Sequence, residues 1–130
     1  MRVGTTTRGT GDEGQAAVEL ALVLPLVAIL LLTLAQVGLV VRDQILVIHA
    51  AREAAREAAV DPGPDVAARA AAASSTLDPG RLTVVAGDRG RPGSRVNVRV
   101  SYRSPTDVPL VGGAIPDITL EASATMRVER

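Results

Sequence analysis

Residues Leu20–Val41 read LALVLPLVAILLLTLAQVGLVV, 22 residues without a charged side chain. As an α-helix, at about 1.5 Å per residue, this stretch spans about 33 Å, and the hydrocarbon core of a bilayer is about 30 Å thick. The segment is therefore expected to cross a membrane, and the rest of the chain is read from it. One carboxylate, Glu19, stands at its entrance. Residues before it, MRVGTTTRGTGDEG at 1–14, are Gly, Thr and charges without apolar periodicity, a composition expected to be disordered. Secretory signal peptides carry an apolar run of only about 7–15 residues behind a basic start. Here the run is longer and Asp12 and Glu13 accompany Arg2 and Arg8, so a retained helix is the expectation.

Composition limits the remainder of the chain. The protein has 130 residues, no cysteine, one aromatic (Tyr102), and a formal net charge of +0. No disulfide can staple a small outer domain, and its core must come from Val, Leu, Ile and Ala. Such a core is expected to draw stability from its own helix or from a partner. A balanced charge gives no field for nucleic acid. Arginines and acidic residues flank the apolar run on both sides, so charge alone does not orient it.

Beyond Val41 the helix is expected to continue into water. Arg42, Asp43, His49, Arg52, Glu53, Arg56 and Glu57 share one half of the wheel; Val47, Ile48, Ala51, Ala54, Ala55, Ala58 and Ala59 share the other. The alanine face admits packing on the chain's own domain or on a neighbouring subunit. His49 has no ligand partner at suitable spacing and reads as solvated. Within the apolar run, Ala17, Ala21, Ala28 and Ala35 line one side, and Glu19, Leu26, Leu30 and Val37 the other. Small residues permit close helix packing. Gln36 and Gly38 suit helix contact better than lipid, and Pro25 is expected to kink the helix.

Asp61-Pro62-Gly63-Pro64 ends the helix, and Asp65 is placed to cap a short second one through about Ser75. Asp78-Pro79-Gly80 turns the chain. Three runs then alternate with period two: Leu82, Val84, Ala86; Val96, Val98, Val100, Tyr102; and Ile118 to Val128. They predict antiparallel strands with one covered face. Gly87–Gly93 suits a hairpin loop, and the longer 104–116 connection is expected to expose Val108, Leu110 and Val111. The outward positions Arg95, Asn97, Arg99, Ser101 and Arg103, with Arg89 and Arg91, form either a basic stripe for acidic polymer or lipid headgroups, or a solvated face with Glu121 and Glu129 as partners. The latter is the expectation. The fold class is α+β: a long N-terminal helix, a short helix and about three antiparallel strands. No catalytic constellation, cofactor motif or metal-ligand spacing occurs, so neither an enzyme nor a small-molecule substrate is expected.

The run GQAAVELALVLPLVAILLLTLAQVGLVVRDQILVIHAAREAAR resembles the N-terminal motif of TadE-like proteins, pseudopilins of the tight-adherence machinery that builds Flp-type pili. The carriers are Gly14 before a small-residue start, Glu19 five residues later, the ALVLP run with Pro25, and AAREAAR at 50–56. The resemblance implies a pilin-like chain in three parts: a cytoplasmic leader, 1–14, cleaved between Gly14 and Gln15 by a prepilin peptidase; a helix, 15–60; and an extracytoplasmic domain, 61–130. It implies residence in the cytoplasmic membrane with the N-terminus inside. Other pilin-like subunits and the assembly platform would be partners, with Glu19 and Pro25 serving helix register. An uncleaved single-pass binding module with an extracellular ligand is the alternative, and the mass of the membrane-extracted protein separates the two.

Overall fold

The structure, a computed structural model, describes residues 10–110 and 112–129, with side chains from Gly14 onward. Helix α1 spans Thr10–Val60 and helix α2 Val66–Ala73. A short 3-10 turn at Pro79–Arg81 leads into strand β1 (Leu82–Ala86), followed by β2 (Arg95–Ser104) and β3 (Ile118–Arg127). The architecture is α+β, as expected. The sheet order is β1-β2-β3, antiparallel throughout, with Val84 opposite Val100 and Tyr102 opposite Leu120.

Helix α1 starts earlier than the composition of the leader indicates. Residues 10–14 are helical, while 1–9 lie outside the described residues. Once a strong helix exists, each added residue gains a hydrogen bond for one residue fixed, so a helix propagates into a weak flank.

The alanine face of α1 packs on the chain's own domain. Val47, Ala50, Ala51, Ala54, Ala55, Ala58 and Ala59 are buried against Val96, Val98, Val100, Tyr102, Leu120 and Val128. Alanine suits this role because a short side chain lets the helix axis approach the sheet. Helix α1 lies over β2 and β3, and α2 contributes Val66, Ala67 and Ala71 beside β1. The second half of α1 is thus a core element, which supplies apolar area that so small a sheet lacks.

Several sequence expectations are corrected. Asp65 sits at the N-cap of α2, but its backbone is left-handed (φ 61) and its side chain makes no capping bond. The tight Asp61–Pro64 exit, closed by Gly63 N donating to Asp61 Oδ1 at 2.7 Å, brings the chain into α2 in that conformation. Val108 is covered, 9% exposed, whereas Leu110 is exposed. Val111 lies outside the described residues. The alternation on β3 is right in phase but only partly buried: Leu120 and Val128 are covered, Ile118 and Met126 exposed. Sheet twist carries the ends of an edge strand away from a straight helix.

Arg89 does not join the outward stripe. Its Nη2 donates to Ala59 O (3.0 Å) and Val60 O (3.3 Å), carbonyls of the last turn of α1. No basic residue occupies the last turn of α1, so this guanidinium supplies the favourable charge from across the fold. Arg95, Asn97, Arg99 and Arg103 are exposed on the outer sheet face. Asn97 donates to Thr125 Oγ1 at 2.9 Å. Among the described residues, no ion pair joins the stripe to Glu121 or Glu129.

Candidate functional site

The N-terminal half of α1 has no protein around it. Leu20, Leu22, Leu26, Leu30 and Leu34 are each more than half exposed. The stretch is long and apolar enough to cross a membrane, and none of its most apolar window is buried. A contiguous apolar surface of this length far exceeds what a soluble monomer leaves open. Thr33 fits such surroundings, since its hydroxyl donates to Ile29 O at 2.8 Å and presents no unpaired group.

The four residues singled out from the sequence all lie on this bare half. Gly14 is helical and exposed, and a Cβ built there meets nothing within 4 Å. Glycine in a helix costs about 0.5–1 kcal/mol relative to alanine, and among the described residues no packing requires it. Gln15 follows on the same exposed turn. Glu19 is exposed and, among the described residues, has no ion-pair partner. Between Gln15 and Arg42 no basic residue stands on the helix to meet it. Helix α1 is continuous through Pro25. These residues share one element but form no cluster or pocket.

Among the described residues, Gln36 is the first buried position of α1, while its neighbours Val37, Leu39 and Val41 stay exposed. It is 4% exposed, and its amide nitrogen and oxygen have no partner. Gly38 stays exposed with open space around its Cα. From Leu20 to Val41, 22 residues, the uncharged stretch covers about 33 Å, close to the thickness of a hydrocarbon core. Glu19 stands at its N-terminal entrance and Arg42 at its far end. Just beyond, Asp43 is held by the Ser104 hydroxyl, which donates to its Oδ2 at 2.7 Å. Sequence reading missed the Asp43–Ser104 and Arg89 contacts because both join residues distant in the chain. The absence of a basic residue in the last turn of α1 was a usable signal for the second. Among the described residues, no group of His, Asp and Glu is placed to hold a metal ion.

Comparison with known proteins gives one family. The model described as "TadE-like protein" matches residues 14–56, about a third of the chain, from Gly14 to Arg56. No curated protein and no solved structure matches. The matched segment begins at the unconstrained glycine, contains Glu19 and Pro25, and ends within the buried alanine face. The family is one of pilus-related structural proteins, and a helix fit to span a bilayer agrees with a membrane protein associated with Tad pili. Residues 14–56 of this chain are accordingly similar to the segment that characterises TadE-like proteins.

Proposed function

We propose that this chain is a non-enzymatic pseudopilin, anchored in the cytoplasmic membrane by α1, that acts in assembly or priming of Flp-type pili. In this reading the N-terminus is cytoplasmic and the α+β domain lies outside. Prepilin peptidase removes residues 1–14. The observation that carries the reading is Glu19: an exposed carboxylate without an ion-pair partner among the described residues, at the entrance of an apolar length that fits a bilayer, in a segment matching the TadE-like model.

A carboxylate drawn into apolar surroundings, in a bilayer or among packed helices, is costly unless a cation meets it. Cleavage after Gly14 creates one. The new amine on Gln15 has a reference pKa of about 7.7–8.0 and is largely protonated near neutral pH. The amine of an adjacent pilin-like subunit is the proposed partner of Glu19. Such a pair fixes register between helices more than it adds stability.

The test is Glu19→Ala in cells. Membrane levels of the protein stay normal, co-purification with other pilin-like subunits drops, and few or no pili form. Normal piliation of Glu19→Ala cells would remove the basis of the proposal. Protease added outside spheroplasts is expected to digest the domain beyond about Val41 and spare the N-terminus; digestion of the N-terminus would reverse the orientation.

A further inference from the structure

Strand β2 descends along α1 toward the apolar half. It begins beside the helix C-terminus, where Glu129 N donates to Ala59 O at 3.1 Å and Gly93 N donates to Val128 O at 2.8 Å. It ends at Ser104, bonded to Asp43. The separation from Ala59 back to Asp43 is about 24 Å of helix, and the ten residues of β2 extend about 30 Å at about 3.3 Å per step. The connection after Ser104 therefore lies at or beyond the level of Asp43. Pro105 and Asp107 share a cleft with Leu39 and Asp43. Gln36, about 10 Å further toward the N-terminus, is covered.

This connection has a built base. Thr106 is buried; its amide donates to Asp117 Oδ1 at 3.4 Å and its hydroxyl to Pro116 O at 3.3 Å. Gly112 N donates to Val108 O at 2.7 Å. A Cβ on Gly112 would collide with the Thr106 carbonyl oxygen, so the two arms of the loop touch backbone to backbone. From this base Leu110 projects 83% exposed, more than any other large hydrophobic side chain among the described residues. Its φ of 68 is left-handed, a conformation that bulky side chains rarely adopt. Ile115 is 39% exposed nearby in the same loop.

We propose that this loop is a second membrane contact, placing Leu110 and Ile115 at the boundary between lipid headgroups and acyl chains beside α1. Lipid is the occupant because the apolar surface of the helix continues to the level of the loop: Leu39 is 45% and Val41 53% exposed. The first charges, Arg42 and Asp43, follow immediately. Lipid that covers Leu39 and Val41 reaches the loop as well. A bilayer gripped at α1 and at this loop sets the tilt of the domain as well as its position. The inference rests on α1 crossing a bilayer and not on any role in pili.

The chain contains no tryptophan, so one introduced residue reports alone. Full-length Leu110→Trp is placed in phosphatidylcholine vesicles with or without brominated acyl chains. Val85→Trp, at an exposed position on β1 (60% exposed), is the comparison. Leu110→Trp should emit at shorter wavelength than in water and lose most of its emission in brominated lipid, while Val85→Trp does neither. A water-like, unquenched Leu110→Trp would overturn the proposal. A blue shift without quenching would also overturn it, since a protein contact would then cover the loop. Equal quenching at both positions would mean that the whole domain lies on the lipid, which refutes a specific loop contact. None of these outcomes depends on the piliation of Glu19→Ala cells.

Discussion

Val98 sits at the centre of β2, 0% exposed beneath the alanine face of α1. Val98→Ala removes two methyl groups, about 1.6 kcal/mol at about 0.8 kcal/mol each. A small residual cavity brings the cost to about 2 kcal/mol. With a tenfold change per about 1.4 kcal/mol, amides in β2 that exchange only when the sheet opens should exchange about 30-fold faster. Asn97 is the matched comparison, one residue away and facing outward. Asn97→Ala loses exposed hydrogen bonds to Thr125 Oγ1 (2.9 Å) and Ala124 O (3.4 Å), a loss of at most about 1 kcal/mol and about fivefold. Val98→Asp buries a carboxylate, at a cost of several kcal/mol. At about 0.05–0.15 kcal/mol per residue, that is comparable to the whole stability of so small a domain. Its β2 amides should approach unprotected exchange. The assay is hydrogen exchange read by mass spectrometry on the full chain in micelles. Equal acceleration by Val98→Ala and Asn97→Ala would refute both the register and the helix-on-sheet core.

Arg89→Ala should cost about 1 kcal/mol by stripping the guanidinium from the C-terminal carbonyls of α1, seen as about fivefold faster exchange in the last turn around Asp61. Ser104→Ala removes the donor to Asp43 and should cost about 1–2 kcal/mol, with faster exchange localised to the end of β2 and the start of the following loop; unchanged exchange there would mean that this contact is not formed in the membrane-bound chain. Gly14→Leu should leave the helix intact, because the site is open, yet yield membrane-extracted protein that retains residues 1–14 by intact mass. Loss of those residues despite Gly14→Leu would show that processing does not read this position.

Periodicity made the main elements legible. The uncharged run, the alanine face and the alternation of Val96, Val98, Val100 and Tyr102 each record one surface that must leave water, and the structure places the domain's apolar faces against each other. What alternation could not show is how much of each strand the helices cover. Ile118 and Met126 carry the inward phase but remain exposed, since coverage depends on twist and helix position. The cap of α2 failed for a related reason: Asp65 has the right side chain, but it follows the tight Pro62-Gly63-Pro64 exit with a left-handed backbone. In the site, Gly14 and Glu19 were legible as departures from their surroundings, a glycine in a helix and a charge beside leucines. Gln36 and Gly38 read alike as contact positions, yet only Gln36 is covered, because the local pattern of an apolar helix does not record where the domain packs.

One continuous rod joins the bare apolar segment to the heart of the domain. Helix α1 has 51 residues, and the alanines that hold the sheet lie on the same unbroken helix as Glu19. Anchor and head therefore have no swivel between them. If the helix rolls about its axis to bring Glu19 to a neighbour, the sheet and its arginine-bearing outer face must roll through the same angle. A pull on the head is carried as axial load straight into the bilayer, resisted in shear along the alanine–valine seam rather than absorbed by a linker.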